Sequence, residues 1–165
     1  EAPPAGEDNL ALVNIQTEGT DLNVAGEDFT VVFDMSAGVM KSFRTDGQEL
    51  LLTGPRPDFW RAPTDNDYGN GMDKRDADWK MAGPDAVLKS ARISQPGMNN
   101  AVVSFTFDIP GRDNRKIASL VTSYLVNGDG TIDVSFSLTK TDLKLEEIPR
   151  VGMQMTMPDR FLNLI

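Results

Sequence analysis

The sequence predicts an all-β fold, an antiparallel β-sandwich with one short helix. Three observations carry that reading. Apolar residues recur every second position along many short segments. Turn-forming pairs separate those segments at close intervals. Only one longer stretch, residues 73–81, lacks both that alternation and the Gly and Pro that interrupt the rest. Period-two patterning puts one face of a strand in a core and the other in water, and closely spaced turns favour antiparallel neighbours.

The segments justify this in chain order. Residues 10–16 form a candidate strand. In 29–34, Phe29, Val31 and Phe33 alternate with Thr30 and Asp34. Residues 48–53 form another candidate. In 101–108, Ala101, Val103, Phe105 and Phe107 alternate with Ser104, Thr106 and Asp108. Residues 116–126 are apolar on both faces at several positions, which places that strand centrally. In 131–139, Ile132, Val134, Phe136 and Leu138 form one face, and Thr131, Asp133, Ser135, Ser137 and Thr139 the other. In 151–157, Val151, Met153, Met155 and Met157 alternate with Gly152, Gln154 and Thr156. Turns are expected at Ala25-Gly26-Glu27-Asp28, Asp46-Gly47, Gln95-Pro96-Gly97, Pro110-Gly111 and Asn127-Gly128-Asp129-Gly130. The last joins two strong strands as a hairpin. Residues 73–81 are expected to be a short amphipathic helix built on Met72, Trp79 and Met81, with Trp79 as anchor and Gly83-Pro84 as its stop.

Composition narrows the function. The 165 residues carry 16 Lys plus Arg against 25 Asp plus Glu, a formal charge of −9. That balance, with no basic run, argues against nucleic acid or an anionic membrane as partner. There is no cysteine and no histidine. Thiol chemistry, the usual triad base and the commonest transition-metal ligand are therefore excluded. Carboxylate chemistry, oxygen ligation of hard metals, or no chemistry remain. Residues 1–9, rich in Pro, Gly and acids, read as a linker, and Phe161-Leu162-Asn163-Leu164-Ile165 ends the chain on apolar residues, as a piece of something longer would.

Two weak motifs are set aside. Asn127 to Asp133 resembles the middle of an EF-hand loop, but the positions that need an acid hold Leu125 and Phe136. Met153, Met155 and Met157 share a strand face, which suits a core better than a soft-metal ladder.

The densest polar cluster runs from Arg61 to Gly71 and follows Gly54-Pro55-Arg56-Pro57-Asp58-Phe59-Trp60. Aromatics beside Arg, Asp and Asn suit sugar recognition, with a flat face for the ring and hydrogen-bonding groups for hydroxyls. On a strand, Asp65 and Asp67 would lie about 6.6 Å apart on one face. That falls within the roughly 6.5–9.5 Å of an inverting glycosidase pair, yet two neighbours on one strand do not flank a bond. An oxygen-ligand Ca or Mg site at Asp65, Asn66 and Asp67 is a further reading. A turn-rich loop, braced by Arg61 against a carboxylate, is the purely structural one. Gly69 and Gly71 would let such a loop hinge.

The segment Phe59-Trp60-Arg61-Ala62-Pro63-Thr64-Asp65-Asn66-Asp67, followed by Gly69, resembles the Trp-Arg-Ala-Pro-x-Asp-Asn-Asp signature of the large β-galactosidases of glycoside hydrolase family 2. That signature belongs to their C-terminal β-domain, the small-chain domain. Upstream, residues 29–34, Gly38, Ser42, Glu49-Leu50-Leu51 and Gly54-Pro55 follow the same order. Downstream, Trp79-Lys80-Met81-Ala82-Gly83 and Ile148-Pro149-Arg150-Val151-Gly152, with Pro158, continue it. The resemblance implies a galactose-mutarotase-like supersandwich, with residues 10–165 as the first part of that domain. It implies a retaining hydrolase of terminal β-galactosides whose two catalytic glutamates lie in a separate TIM barrel, so this chain alone is expected to be inactive. It implies no catalytic residue and no metal or other cofactor here, the family's Mg and Na being held by other domains. What carries over is a loop at the active-site rim, with Trp60, Arg61, Asp65, Asn66, Asp67 and Tyr68 as rim or substrate-binding residues. Expected partners are the parent chain's catalytic barrel, a galactoside and, through an open sheet edge, a second copy. The alternative is a stand-alone carbohydrate-binding sandwich using Trp60, Arg61 and Asp65. The resemblance points to a bacterial parent, periplasmic or cytoplasmic.

Overall fold

A computed structural model describes residues 11–141, 144–145 and 147–161. The linker expected at 1–9 lies outside them. Among the described residues, eleven strands form three antiparallel sheets. The first contains β1 (Asn14–Glu18), β2 (Asp21–Ala25), β3 (Phe29–Asp34), β4 (Val39–Thr45) and β5 (Gln48–Glu49), in that order across the sheet. The second runs β10 (Ile132–Lys140), β9 (Lys116–Asn127), β8 (Asn100–Pro110), β7 (Val87–Gly97). The third pairs β11 (Gly152–Thr156) with β6 (Thr53–Asp58). This is the all-β sandwich the alternation predicts, and β9 is central in its sheet as its two-faced apolar pattern requires.

The core lies between the first two sheets. Along β8, Ala101, Val103, Phe105, Phe107 and Ile109 are buried in strict alternation. Val24, Val31 and Phe33 answer them from the first sheet. Phe33 joins the layers: its ring centroid lies 5.3 Å from Tyr124 on β9 and 6.2 Å from Phe105 on β8. Such tilted aromatic contacts add to the gain from area buried. Burial pushes the Tyr124 hydroxyl up to about 12, against the opposing pull of its hydrogen bond with Thr122.

The β9–β10 hairpin forms where expected. The Asn127 amide donates to the Thr131 carbonyl at 2.9 Å, and Gly130 takes the left-handed conformation (φ 83°) that the turn requires. Glu49 organises the end of the first sheet. Its carboxylate accepts from Ser42 Oγ (2.5 Å), Phe43 N (2.9 Å), Leu51 N and Arg44 Nε (both 3.2 Å). Burial pushes its pKa up, but these bonds outweigh that and hold it below the ordinary value.

Several expectations are corrected. The helix predicted over 73–81 is replaced by two shorter pieces, α2 (Met72–Arg75) and a 3₁₀ turn (Ala77–Trp79), preceded by a helix the sequence did not predict, α1 (Asp65–Asn70). Trp79 is the anchor, at 1% exposure, and Met72 is buried too, but Met81 lies outward. Gly71 interrupts the run in a left-handed conformation (φ 76°) that caps α1. Asp65 and Asp67 therefore lie on a helix, not along a strand. The strand expected at 10–16 begins at Asn14, and the one at 48–53 splits into β5 and the start of β6. The turn placed at 95–97 falls at 98–99, after β7. β2, β4, β6 and β7 gave too little alternation to be picked out: β4 carries an irregularity in its pairing with β3, and Gly54, Pro55 and Pro57 break up β6. The apolar faces of β10 and β11 are only partly covered, with Val134 and Met155 about half exposed.

Candidate functional site

Three separated segments of the resemblance meet at one place. β6 delivers the chain to Phe59 and Trp60. Phe59 is buried and meets the Trp79 ring edge-on, with centroids 5.6 Å apart and planes at 62°. Gly83 packs against the β6 backbone so closely that an added Cβ would lie 2.2 Å from the Pro57 carbonyl oxygen. β11 pairs with β6 from the other side, with Gly152 opposite Asp58. Just before β11, Arg150 Nη1 reaches Asp58 Oδ2 at 3.2 Å. The other oxygen of Asp58 accepts the Trp60 amide at 3.1 Å. Asp58 thus ties the start of the polar loop to the segment that leads into β11.

The loop is then braced internally. Arg61 and Asp67 form a two-pronged pair, Nη1 to Oδ2 at 2.5 Å and Nη2 to Oδ1 at 2.8 Å. Paired geometry of this kind is the strongest form of charged hydrogen bond between side chains. Oδ2 also accepts from the Thr64 amide and hydroxyl, each at 2.8 Å. The Thr64 hydroxyl in turn accepts the Asp67 amide at 3.4 Å. Thr64 and Asp67 form the capping box that starts α1. Acids in the first turn, here Asp65 and Asp67, also suit the positive end of the helix dipole. Arg61 first, then the two Thr64 bonds, hold the Asp67 carboxyl well below the usual carboxylate range. The same pairing raises Arg61.

The signal for this arrangement was present as Thr64-x-x-Asp67, the spacing of a capping box. A strand reading of Asp65 and Asp67 overlooked it. Two helix positions apart, the two side chains turn to different sides. Asp67 faces Arg61 and Thr64 and is buried, while Asp65 and Asn66 are exposed. Tyr68 is 59% exposed. Trp60 is half-buried and packs against the core.

Of the six residues read from the sequence, Arg61 and Asp67 are directly bonded. Trp60 starts the loop, and Asp65, Asn66 and Tyr68 project from α1. Both Asp67 oxygens are engaged. Among the described residues, no three acidic side chains are grouped so as to hold a metal ion. Residues that sequence reasoning did not single out are Asp58 and Thr64, which hold the loop, and Asn70 with Arg75, which hold its far end. Asn70 Oδ1 accepts the Met72 amide at 3.0 Å, and the Asn70 carbonyl accepts from Arg75 at 3.0 Å. Beside the loop, a cleft of about 360 Å³ is lined by Thr53, Arg56, Asp58, Lys80, Gln154 and Met155, among others.

Fold and site together define an antiparallel β-sandwich domain that carries one braced, acid-capped surface loop. The family model for the β-galactosidase small chain matches residues 25–164, and the chain belongs to that family. The β-galactosidase of Priestia megaterium (strain DSM 319 / IMG 1521) is 36% identical over 154 residues, covering 93% of this chain and 14% of that protein. The β-galactosidase of Streptococcus thermophilus is 26% identical over 156 residues, again 93% of this chain and 14% of the relative. The β-galactosidase small subunit of Latilactobacillus sakei is 25% identical over 159 residues, 83% of this chain and 48% of that subunit. The chain thus spans about one seventh of the longer relatives and about half of the small subunit.

Proposed function

We propose that this chain is the non-catalytic part of a β-galactosidase that hydrolyses terminal non-reducing β-D-galactosides with retention, and that its braced loop forms part of the rim of an active site housed in another domain. One observation carries the reading: the Arg61–Asp67–Thr64 network fixes the loop from within while leaving Asp65, Asn66 and Tyr68 exposed. Asp65 and Tyr68, three residues apart on α1, lie along one side of it. A rigid loop with a polar outer side suits a rim that excludes water and positions a sugar. A retaining displacement needs two carboxyl groups about 5–5.5 Å apart. Asp67, tied into the brace, is ill suited to act as one of them, which favours a reaction centre elsewhere. The family membership and the long β-galactosidase relatives support the same assignment.

The test is kinetic and uses the parent enzyme. Tyr68→Ala and Asp65→Ala are expected to lower kcat/KM for an aryl β-galactoside without changing the melting temperature. Arg61→Ala, which frees the loop, is expected to cost roughly tenfold to a hundredfold in kcat/KM. Wild-type kinetics in all three variants would refute the rim role. If instead the isolated chain binds galactose saturably, and Trp60→Ala abolishes that binding, the chain is a stand-alone sugar-binding module.

A further inference from the structure

Asp58 and Asp67 fix the start and the middle of the segment that carries α1. Its return end is fastened by another aspartate, Asp78, in the 3₁₀ turn. Asp78 Oδ1 accepts the Arg112 amide at 2.9 Å and Arg112 Nε at 3.2 Å. Oδ2 lies 3.9 Å from Arg115 Nη2. The carboxylate is largely buried, its side chain 14% exposed. The Arg112 amide, above all, holds its pKa below the ordinary value, against the upward push of burial. Both arginines belong to the 111–115 turn between β8 and β9, the two central strands of their sheet. That turn is closed by its own bonds, the Gly111 amide to the Arg115 carbonyl at 2.9 Å and the Asn114 amide to the Gly111 carbonyl at 3.0 Å. Asp78 thus grips a rigid part of the molecule 34 residues away in sequence.

We infer that Asp78 is a positioning residue for α1: by locking the return end of the segment onto the β8–β9 turn, it sets where Asp65, Asn66 and Tyr68 stand. α1 and α2 have six and four residues, too short to hold their place unaided. Met72 and Trp79 bury their side chains, but apolar burial is non-directional and does not fix how the segment lies along the core surface. The bonds to Asp78 are directional. A relay of backbone bonds carries that fixed point to α1. The Trp79 amide donates to the Asp76 carbonyl at 3.0 Å, and the Asp76 amide to the Met72 carbonyl at 2.9 Å. The Arg75 amide donates to the Gly71 carbonyl at 2.9 Å, and the Gly71 amide to the Tyr68 carbonyl at 3.2 Å. Each turn overlaps the next, so a shift at Asp78 is passed on to Tyr68. The consequence for turnover rests on the rim reading proposed above; the hold on α1 does not.

The experiment uses the parent enzyme and two readouts. One is hydrogen exchange at the bonded amides of Asp67, Tyr68 and Gly71. The other is KM for an aryl β-galactoside. Asp78→Ala should speed exchange at these amides at least about tenfold and raise KM at least about threefold. Asp78→Asn keeps an oxygen for the Arg112 amide and Nε, and should return both readouts to within about twofold of wild type. Arg112→Ala, which removes one of the two bonds to Oδ1, should move both in the same direction by less. Val103→Ala is the control. It opens a cavity in the buried core and should lower the melting temperature while leaving KM and the exchange at α1 unchanged. Wild-type exchange at these amides in Asp78→Ala would overturn the inference. So would an Asp78→Asn variant as defective as Asp78→Ala, or a Val103→Ala variant with the same changes. If Tyr68→Ala lowers kcat/KM while Asp78→Ala leaves KM alone, the positioning role fails and the rim reading stands. If Tyr68→Ala leaves the kinetics unchanged, the rim reading fails, and the exchange rates still decide whether Asp78 holds α1.

Discussion

The β8–β9 ladder and the segment from Phe59 to Gly83 are held together by different means. In the ladder, alternate residues point into the core and most of the register runs unbroken, so cohesion comes from apolar area spread over many side chains. In the segment, regular structure is limited to α1, α2 and one 3₁₀ turn. Its shape depends on a few particular contacts: Trp79 on Phe59, Gly83 on the β6 backbone, Arg150 on Asp58, and Arg61 with Thr64 on Asp67. A patterned sheet tolerates change at many positions if volume is kept. A segment held by single contacts does not, and surface loops positioned on a rigid scaffold are where function concentrates.

The largest expected effects put the two regions side by side. Phe105→Ala in the ladder and Trp79→Ala in the segment should each cost about 3–5 kcal/mol of unfolding free energy, since both rings are fully buried. Chemical denaturation measures both. If Trp79→Ala cost less than about 1 kcal/mol, the segment would not be anchored by its aromatic contact, and the contrast would fail. Next comes Gly83→Ala, expected at about 1–3 kcal/mol because backbone, not a flexible side chain, blocks the added methyl. Gly69→Ala is the control, since nothing lies within 4 Å of that position. It should have a much smaller effect on stability than Gly83→Ala.

The smallest effect is electrostatic. Because the folded-state pKa of Asp67 is depressed, the stabilisation from its ionised form is fully present above the ordinary Asp value of about 3.9 and is lost as pH falls toward the folded value. Stability measured against pH should therefore fall more steeply below about pH 4 in the wild type than in Asp67→Asn. Parallel curves would show that the brace does not hold its charge in the folded state.

The sheet was legible because its signal is a repeat. Phe29, Val31 and Phe33, or Ala101 through Ile109, announce a buried face by period alone, and Gly130 marks its turn. β7 escaped notice because its core-side residues, Leu88, Ala91 and Ile93, are not evenly spaced, two register shifts interrupting the alternation. The half-exposed faces of β10 and β11 could not be read from pattern at all, because alternation says which residues share a face and not what covers it. At the site, the residue types were legible but their geometry was not. Asp65 and Asp67 suit a strand or a helix equally until Thr64 is recognised as a cap. Asp58 gave no local signal, since its partners Arg150 and the Trp60 amide depend on the pairing of β6 with β11.

The most direct measurement is turnover of an aryl β-galactoside by the isolated 165-residue chain, folded as judged by its β-sheet spectrum, beside its Asp65→Asn variant. No turnover above buffer is expected from either, because the proposed rim role puts the reaction centre in another domain. Clear turnover by the wild-type chain, abolished in Asp65→Asn, would put the chemistry in this loop and contradict the rim reading.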